Sequence, residues 1–198
     1  MTTPTDIITT ARTIYNDADS ALYRKADSEL LGYINEGLRE ISALKPELFM
    51  TIGDLICTVG AVEQTVTFND AQALVNVLCI HAGAALTPFD IDTMNAFNPG
   101  WRADTAGSAV QWSKYPGDPL RFFIYPKAPA AAQTLDVMYI RNPTTLTLVD
   151  AITEIPAGYM PALVDYTVYR AEIADDEFSN NQRATTMYAS FVGKIKGA

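Results

Sequence analysis

Helical periodicity marks the N-terminal part of the chain. Apolar residues recur at three- and four-residue steps over residues 28–45, which predicts a long amphipathic helix. Ser28 is the predicted cap of this helix, and Pro46 ends it. The same spacing over residues 5–15 predicts a shorter helix. The chain is therefore expected to begin as two helices joined by a polar loop.

The helical period returns near the C-terminus. Apolar residues are spaced as on one helix face over residues 163–173 and again over 184–195. A polar stretch at 175–181 separates the two predicted helices. Both ends of the chain are thus predicted to be helical.

The region between these helices has the pattern of short strands. The predicted strands are residues 55–59, 65–68, 74–80, 110–115, 122–125 and 135–140. Turn residues rich in proline and glycine separate them, as at 98–100. This order predicts an α+β fold, in which a helical domain (1–49 and 154–198) carries an inserted antiparallel β-sheet or small β-sandwich (50–153).

Composition and charge exclude several classes of protein. Hydrophobic residues make up 48% of the chain and charged residues 19%, which is enough to build a core. The net charge is −9, so a basic face that grips nucleic acid or anionic lipid is not expected. The longest weakly polar run, 73–86, is shorter than the roughly 20 residues of a membrane span. We expect a soluble protein that is made in the cytoplasm and does not bind membranes.

Motifs that carry catalysis or hold cofactors are missing from the sequence. Neither of the glycine-rich phosphate-binding loops can be aligned to it. The single histidine, His81, lies in a strand-like apolar run and is predicted to be a partly buried structural residue. Cys57 and Cys79 are predicted to be small buried hydrophobes, although a bridge between them is possible. We predict no catalytic residue, no cofactor and no metal site, and therefore no enzyme.

An aromatic cluster in the β region allows two interpretations. Its members are Trp101, Trp112, Tyr115, Phe122, Phe123 and Tyr125. Core packing explains such a cluster more often than sugar stacking does. Together with a pair among the 23 acidic residues, however, the cluster could belong to a carbohydrate-binding or hydrolytic β-sandwich module.

Several segments of the sequence resemble bacteriophage head-to-tail adaptor proteins of the tail tubular protein A type. The segments that carry the resemblance are residues 30–41, 45–49, 98–102, 119–127, 135–143, 155–159 and 163–166. The resemblance spans most of the chain and is a pattern of hydrophobic and turn residues.

The resemblance implies a structural role in the virion, at the junction of head and tail. Adaptors of this family form a ring, commonly of twelve copies, that docks under the portal protein and receives the tail nozzle or tail tube. Viral DNA passes through the lumen of the ring without specific binding. A neck stopper or head-completion protein is the neighbouring alternative, because such ring proteins are distinguished by the surfaces they contact.

Two sets of residues are candidates for these contacts. The basic C-terminal residues Lys194, Ile195 and Lys196 are predicted to dock on the portal. The apolar faces of the terminal helices are predicted to serve helix packing or ring contacts, through Leu30, Ile34, Leu38, Ile41, Tyr166, Tyr169 and Phe191.

Overall fold

A computed structural model describes residues 1–173 and 180–197 and contains both helices and strands. The α-helices are α1 (Pro4–Ile14), α2 (Asp27–Leu44), α3 (Ile91–Phe97), α4 (Met160–Ile173) and α5 (Asn181–Lys196). The strands are β1 (Met50–Ile56), β2 (Glu63–Thr65), β3 (Ala71–Ile80), β4 (Thr87–Pro88), β5 (Gln111–Lys114), β6 (Arg121–Tyr125) and β7 (Thr134–Arg141). The predicted α+β class is confirmed. Most of the predicted polar stretch at 175–181 lies outside the described residues.

The chain divides into two compact units. A helical unit comprises Met1–Phe49 and Pro143–Ala198, and a β-rich unit comprises Met50–Asn142. Residues 143–153, which the sequence pattern assigns to the β-rich domain, group with the helices. The side-chain amide of Asn35 explains this, because it binds both backbone groups of Leu146, at 2.8 Å to the N–H and 3.2 Å to the carbonyl oxygen.

The first two helices begin in different ways. Helix α1 has a capping box, in which the Thr3 hydroxyl accepts from the Asp6 N–H while the Asp6 carboxylate accepts from the Thr3 N–H. Helix α2 begins at Asp27, with Ala26 in the capping position and no side-chain cap. The prediction that Ser28 caps this helix is therefore wrong. The helix starts one residue earlier than predicted, and Asp27 in its first turn has its carboxylate 2.6 Å from the Arg12 guanidinium.

Helix α4 lies at the centre of the helical unit and contacts α1, α2 and α5. Nine of its fourteen residues are buried, and they occur on every side of the helix. A helix enclosed in this way loses the one-sided pattern that marks a surface helix. Its buried polar residues are paired, as where Asp165 accepts from Ser190 and Lys194.

The β-rich unit contains two sheets. One has the strand order β1-β7-β3 and is antiparallel throughout, and the other has the order β2-β6-β5-β4. Strand β4 pairs with β5 in parallel, which departs from the all-antiparallel expectation. The buried core of this unit comprises Leu55, Cys57, Val66, Leu74, Val77, Leu86, Ala109, Trp112, Phe122, Ile124, Ala128, Leu135, Val137 and Tyr139.

Candidate functional site

The outer face of the three-stranded sheet exposes apolar side chains. Met50, Ile52 and Ile56 alternate with inward-facing residues along β1 and are 41%, 56% and 69% exposed. Met138 and Ile140 lie opposite Ile52 and Met50 on β7 and are half-buried. Strand β1 is also an edge of this sheet, since β7 pairs with one side of it. An edge strand with exposed apolar side chains is a surface suited to binding another chain.

A charged group lies on the same outer face. Asp54 of β1 is directly opposite Asp136 of β7, and His81 follows the end of β3. The Nδ1 atom of His81 lies 2.8 Å from an Asp136 oxygen and 3.5 Å from an Asp54 oxygen. The hydrogen bond to Asp136 raises the pKa of His81, and the same bond lowers the pKa of Asp136.

His81 differs from its predicted environment. Its side chain is 54% exposed, so the prediction of a partly buried residue in a strand is wrong. Strand β3 ends at Ile80, and His81 begins the turn that leads to a bridge between Cys79 and Ala85. Cys57 is buried as predicted, whereas Cys79 is half-buried and donates to Asp136. Both cysteines are free thiols.

The end of α5 places the three predicted docking residues in different environments. Lys196 is exposed, whereas Ile195 is completely buried and faces the core. Lys194 donates to the nearly buried Asp165 carboxylate at 2.5 Å. The two lysines are therefore the members of this set that offer polar atoms at the surface.

A groove lies beside Lys194 in the helical unit. Its volume is about 390 Å³, and its apolar lining includes Ile7, Ile14, Met160 and Val164. Asp165 and Lys194 stand on its border. The groove thus combines an apolar floor with a charged rim, a composition typical of protein-binding sites.

The residues predicted for helix packing or ring contacts lie in the core of the helical unit. Leu30, Ile34, Leu38, Ile41 and Phe191 are completely buried, Tyr166 is 7% exposed and Tyr169 is half-buried. The Tyr166 and Phe191 rings are 5.0 Å apart between their centroids. These side chains stabilise the subunit from within.

The aromatic cluster is mostly interior. Trp101 is 1% exposed and its ring packs edge-on against Phe89, Phe123 and Tyr125. Trp112 is 6% exposed. Because the two indole rings are buried, they are not available as a platform on which a sugar could stack.

Sequence reasoning missed the exposed apolar face and the charged group on it. The pattern predicts the first strand at 55–59, but β1 spans Met50–Ile56, so the prediction leaves Ile52 and Asp54 outside the strand. The alternation of polar and apolar residues along β7 could have indicated the charged group, because Asp136 lies between Leu135 and Val137, which are buried.

Comparison with known protein families gives the class of the protein. The model of the SU10 adaptor protein family matches residues 2–198. The chain therefore belongs to the SU10 adaptor protein family, and the predicted resemblance to phage head-to-tail adaptors is confirmed. No curated protein matches the chain.

Membership in this family fixes the role at a coarse level. The chain is a structural component of the phage virion that connects head and tail and contacts other head or tail proteins. No helix among residues 1–173 and 180–197 has both the length and the apolar character of a membrane span.

Proposed function

We propose that copies of this chain close into a ring, with twelve the expected number, that docks beneath the portal protein and receives the tail nozzle or tail tube. The apolar outer face of β1 carries this proposal, since Met50, Ile52 and Ile56 are exposed together on an edge strand. In a ring, each copy uses one surface to contact a different surface of its neighbour. The outer face of β1 is the surface that we assign to one side of this contact.

The charge of the chain supports a channel for DNA. Each copy carries a net charge of −9. A ring of acidic subunits repels the phosphates of viral DNA more than it attracts them, so the DNA slides through the lumen without specific binding.

The ring contact is tested by introducing a charge on β1. Light scattering after gel filtration, and particle images with and without purified portal, measure the assembly. We expect the unmodified chain to form rings either alone or with portal, and the Ile52→Asp variant to remain smaller under the same conditions. Val149→Asp is the matched control, because Val149 is 82% exposed but lies in the helical unit.

Two outcomes would contradict different parts of this proposal. A folded chain that associates neither with itself nor with portal contradicts the ring. An Ile52→Asp variant that forms rings as readily as the unmodified chain leaves the ring in place and removes β1 from its contacts.

We assign portal docking to the end of α5 and the groove beside it. Lys196 is exposed and Lys194 stands at the rim of that groove, while the buried Ile195 anchors the helix. Lys196→Glu should weaken capture of the chain by immobilised portal, whereas Lys114→Glu, an equal change of charge on β5, should not. Equal weakening by both variants would indicate a general effect of charge and contradict the assignment.

A further inference from the structure

We propose that Asp54, His81 and Asp136 form a binding site for a divalent transition-metal cation of the zinc type. The site lies on the outer face of the three-stranded sheet and takes one side chain from β1, one from β7 and one from the turn after β3. This proposal replaces the expectation from sequence that the chain has no metal site. It does not depend on the ring.

The donor atoms are already close together. One ligand atom from each of the three residues lies within 4.8 Å of the other two. The His81 Nδ1 atom is 2.8 Å from Asp136 Oδ1 and 3.5 Å from Asp54 Oδ1. Around a tetrahedral zinc ion with bonds of about 2.0–2.1 Å, neighbouring ligand atoms are about 3.4 Å apart. Small side-chain rotations therefore suffice to bring the three atoms around one ion.

The register of the sheet places two negative charges side by side, and a cation bound here would reduce their repulsion. Asp54 and Asp136 are direct cross-strand partners, and two like charges in that position destabilise a sheet. An imidazolium at His81 offsets this repulsion in part. A divalent ion held by neutral imidazole and both carboxylates would offset it more fully, because its two charges lie between the two acids.

The surroundings favour binding of a soluble ion. The Asp54 and His81 side chains are 62% and 54% exposed in the single chain, so an ion reaches them directly from solvent before the chain assembles. The Cys79 thiol donates to the second oxygen of Asp136 at 3.2 Å and holds that carboxylate towards His81. Outer hydrogen bonds of this kind orient metal ligands.

The donor set also indicates which ion binds. Imidazole nitrogen suits zinc and its neighbours among the transition metals, whereas magnesium and calcium prefer sites built wholly from oxygen. Three protein ligands leave a fourth tetrahedral position for water. Zinc should therefore bind much more tightly than magnesium.

The histidine provides a direct test, because His81 is the single histidine of the chain. Full-length protein without a histidine tag is freed of metal with a chelator, and Zn²⁺ is then added at one fixed pH while the imidazole resonances are recorded by NMR. We expect these resonances to move until one equivalent is bound, and Mg²⁺ to leave them unchanged. Calorimetry on the same samples gives the affinity.

Variants separate this site from other ways of holding zinc. Asp54→Asn replaces an exposed carboxylate ligand with a neutral amide and should weaken zinc binding at least about tenfold. Asp92→Asn is the matched control, since Asp92 is an exposed acid on α3, and should bind zinc as the unmodified chain does. Circular dichroism confirms that each variant is folded.

Two results would overturn the site. The first is an imidazole spectrum that zinc does not change. The second is zinc binding that Asp54→Asn leaves intact and that is lost in Cys79→Ser or Cys57→Ser, since a thiol would then be the ligand. Neither result measures ring formation, which the Ile52→Asp comparison tests separately.

Discussion

The helical unit and the β-rich unit differ in how far their apolar residues are buried. In the helical unit, Leu30, Ile34, Leu38 and Ile41 of α2 are completely buried, and α2 contacts α1, α4 and α5. In the β-rich unit, one face of the three-stranded sheet covers the core while Met50, Ile52 and Ile56 are exposed on the other. Exposed apolar residues of the helical unit lie in connecting segments, as Leu22 and Val149 do, or at the last residue of a helix, as Ile14 and Ile173 do. Periodicity therefore identifies residues that stabilise the subunit, whereas a surface for assembly is a regular face that remains uncovered.

The strongest test of this comparison removes a large side chain from each unit. Phe191→Ala should lower the free energy of unfolding by about 3–5 kcal/mol, because it leaves a cavity beside Tyr166 in the helical core. Ile56→Ala on β1 should change it by no more than about 0.5 kcal/mol in the unassembled chain. Urea unfolding measures both. Similar losses in the two variants would contradict the contrast between a closed core and an open face.

Breaking a buried ion pair should lower the stability of the helical unit nearly as much. Arg12 and Asp17 are almost fully buried and lie 2.5 Å apart. Arg12→Met leaves the Asp17 carboxylate without its cation and should lower the free energy of unfolding by about 3 kcal/mol. Arg12→Lys, which retains the charge, should recover part of this loss. If the methionine variant is as stable as the unmodified chain, the pair does not stabilise the unit.

Two glycines lie on different faces of α2, one packed against another helix and one open. A methyl group at Gly37 would lie 2.9 Å from the Tyr166 ring, so Gly37→Ala should cost about 1–3 kcal/mol. A methyl group at Gly32 would contact nothing within 4 Å, and Gly32→Ala should stabilise the helix by up to about 1 kcal/mol. Thermal unfolding followed at a helical wavelength compares the two. A shift of Tm in the same direction would mean that α2 does not pack against Tyr166 in this way.

The smallest expected effect concerns the cap of α1. Hydrogen bonds from the N–H and hydroxyl of Thr3 lower the pKa of Asp6. A lowered folded-state pKa means that this contribution is complete above the unfolded-state pKa and is lost as the pH falls through the folded-state value. The unmodified chain should therefore be slightly more stable than Asp6→Asn near neutral pH, and the difference should shrink in acid. A difference that does not depend on pH would show that the carboxylate charge is irrelevant to the cap.

Helices were more predictable than strands in this chain. The spacing over 28–45 predicted α2 within one residue at each end, because a helical stripe repeats over several turns. The six predicted strands overlap six of the seven observed strands, but their ends shift by up to five residues. The two-residue strand β4 and the short helix α3 were missed, since neither is long enough to show a period.

The sequence alone determined the α+β class, the core residues of α2 and the resemblance to phage adaptors, because these depend on local periodicity and on segment patterns that survive without coordinates. Which side of a strand faces the core depends on how the strands pair and pack in three dimensions. A shift of one residue exchanges the two faces of a strand, so the register of β1 against β7 alone places Asp54 opposite Asp136, near His81. The outer face of β1 and the metal site proposed on it are therefore properties of strand pairing, which residues far apart in the sequence create together.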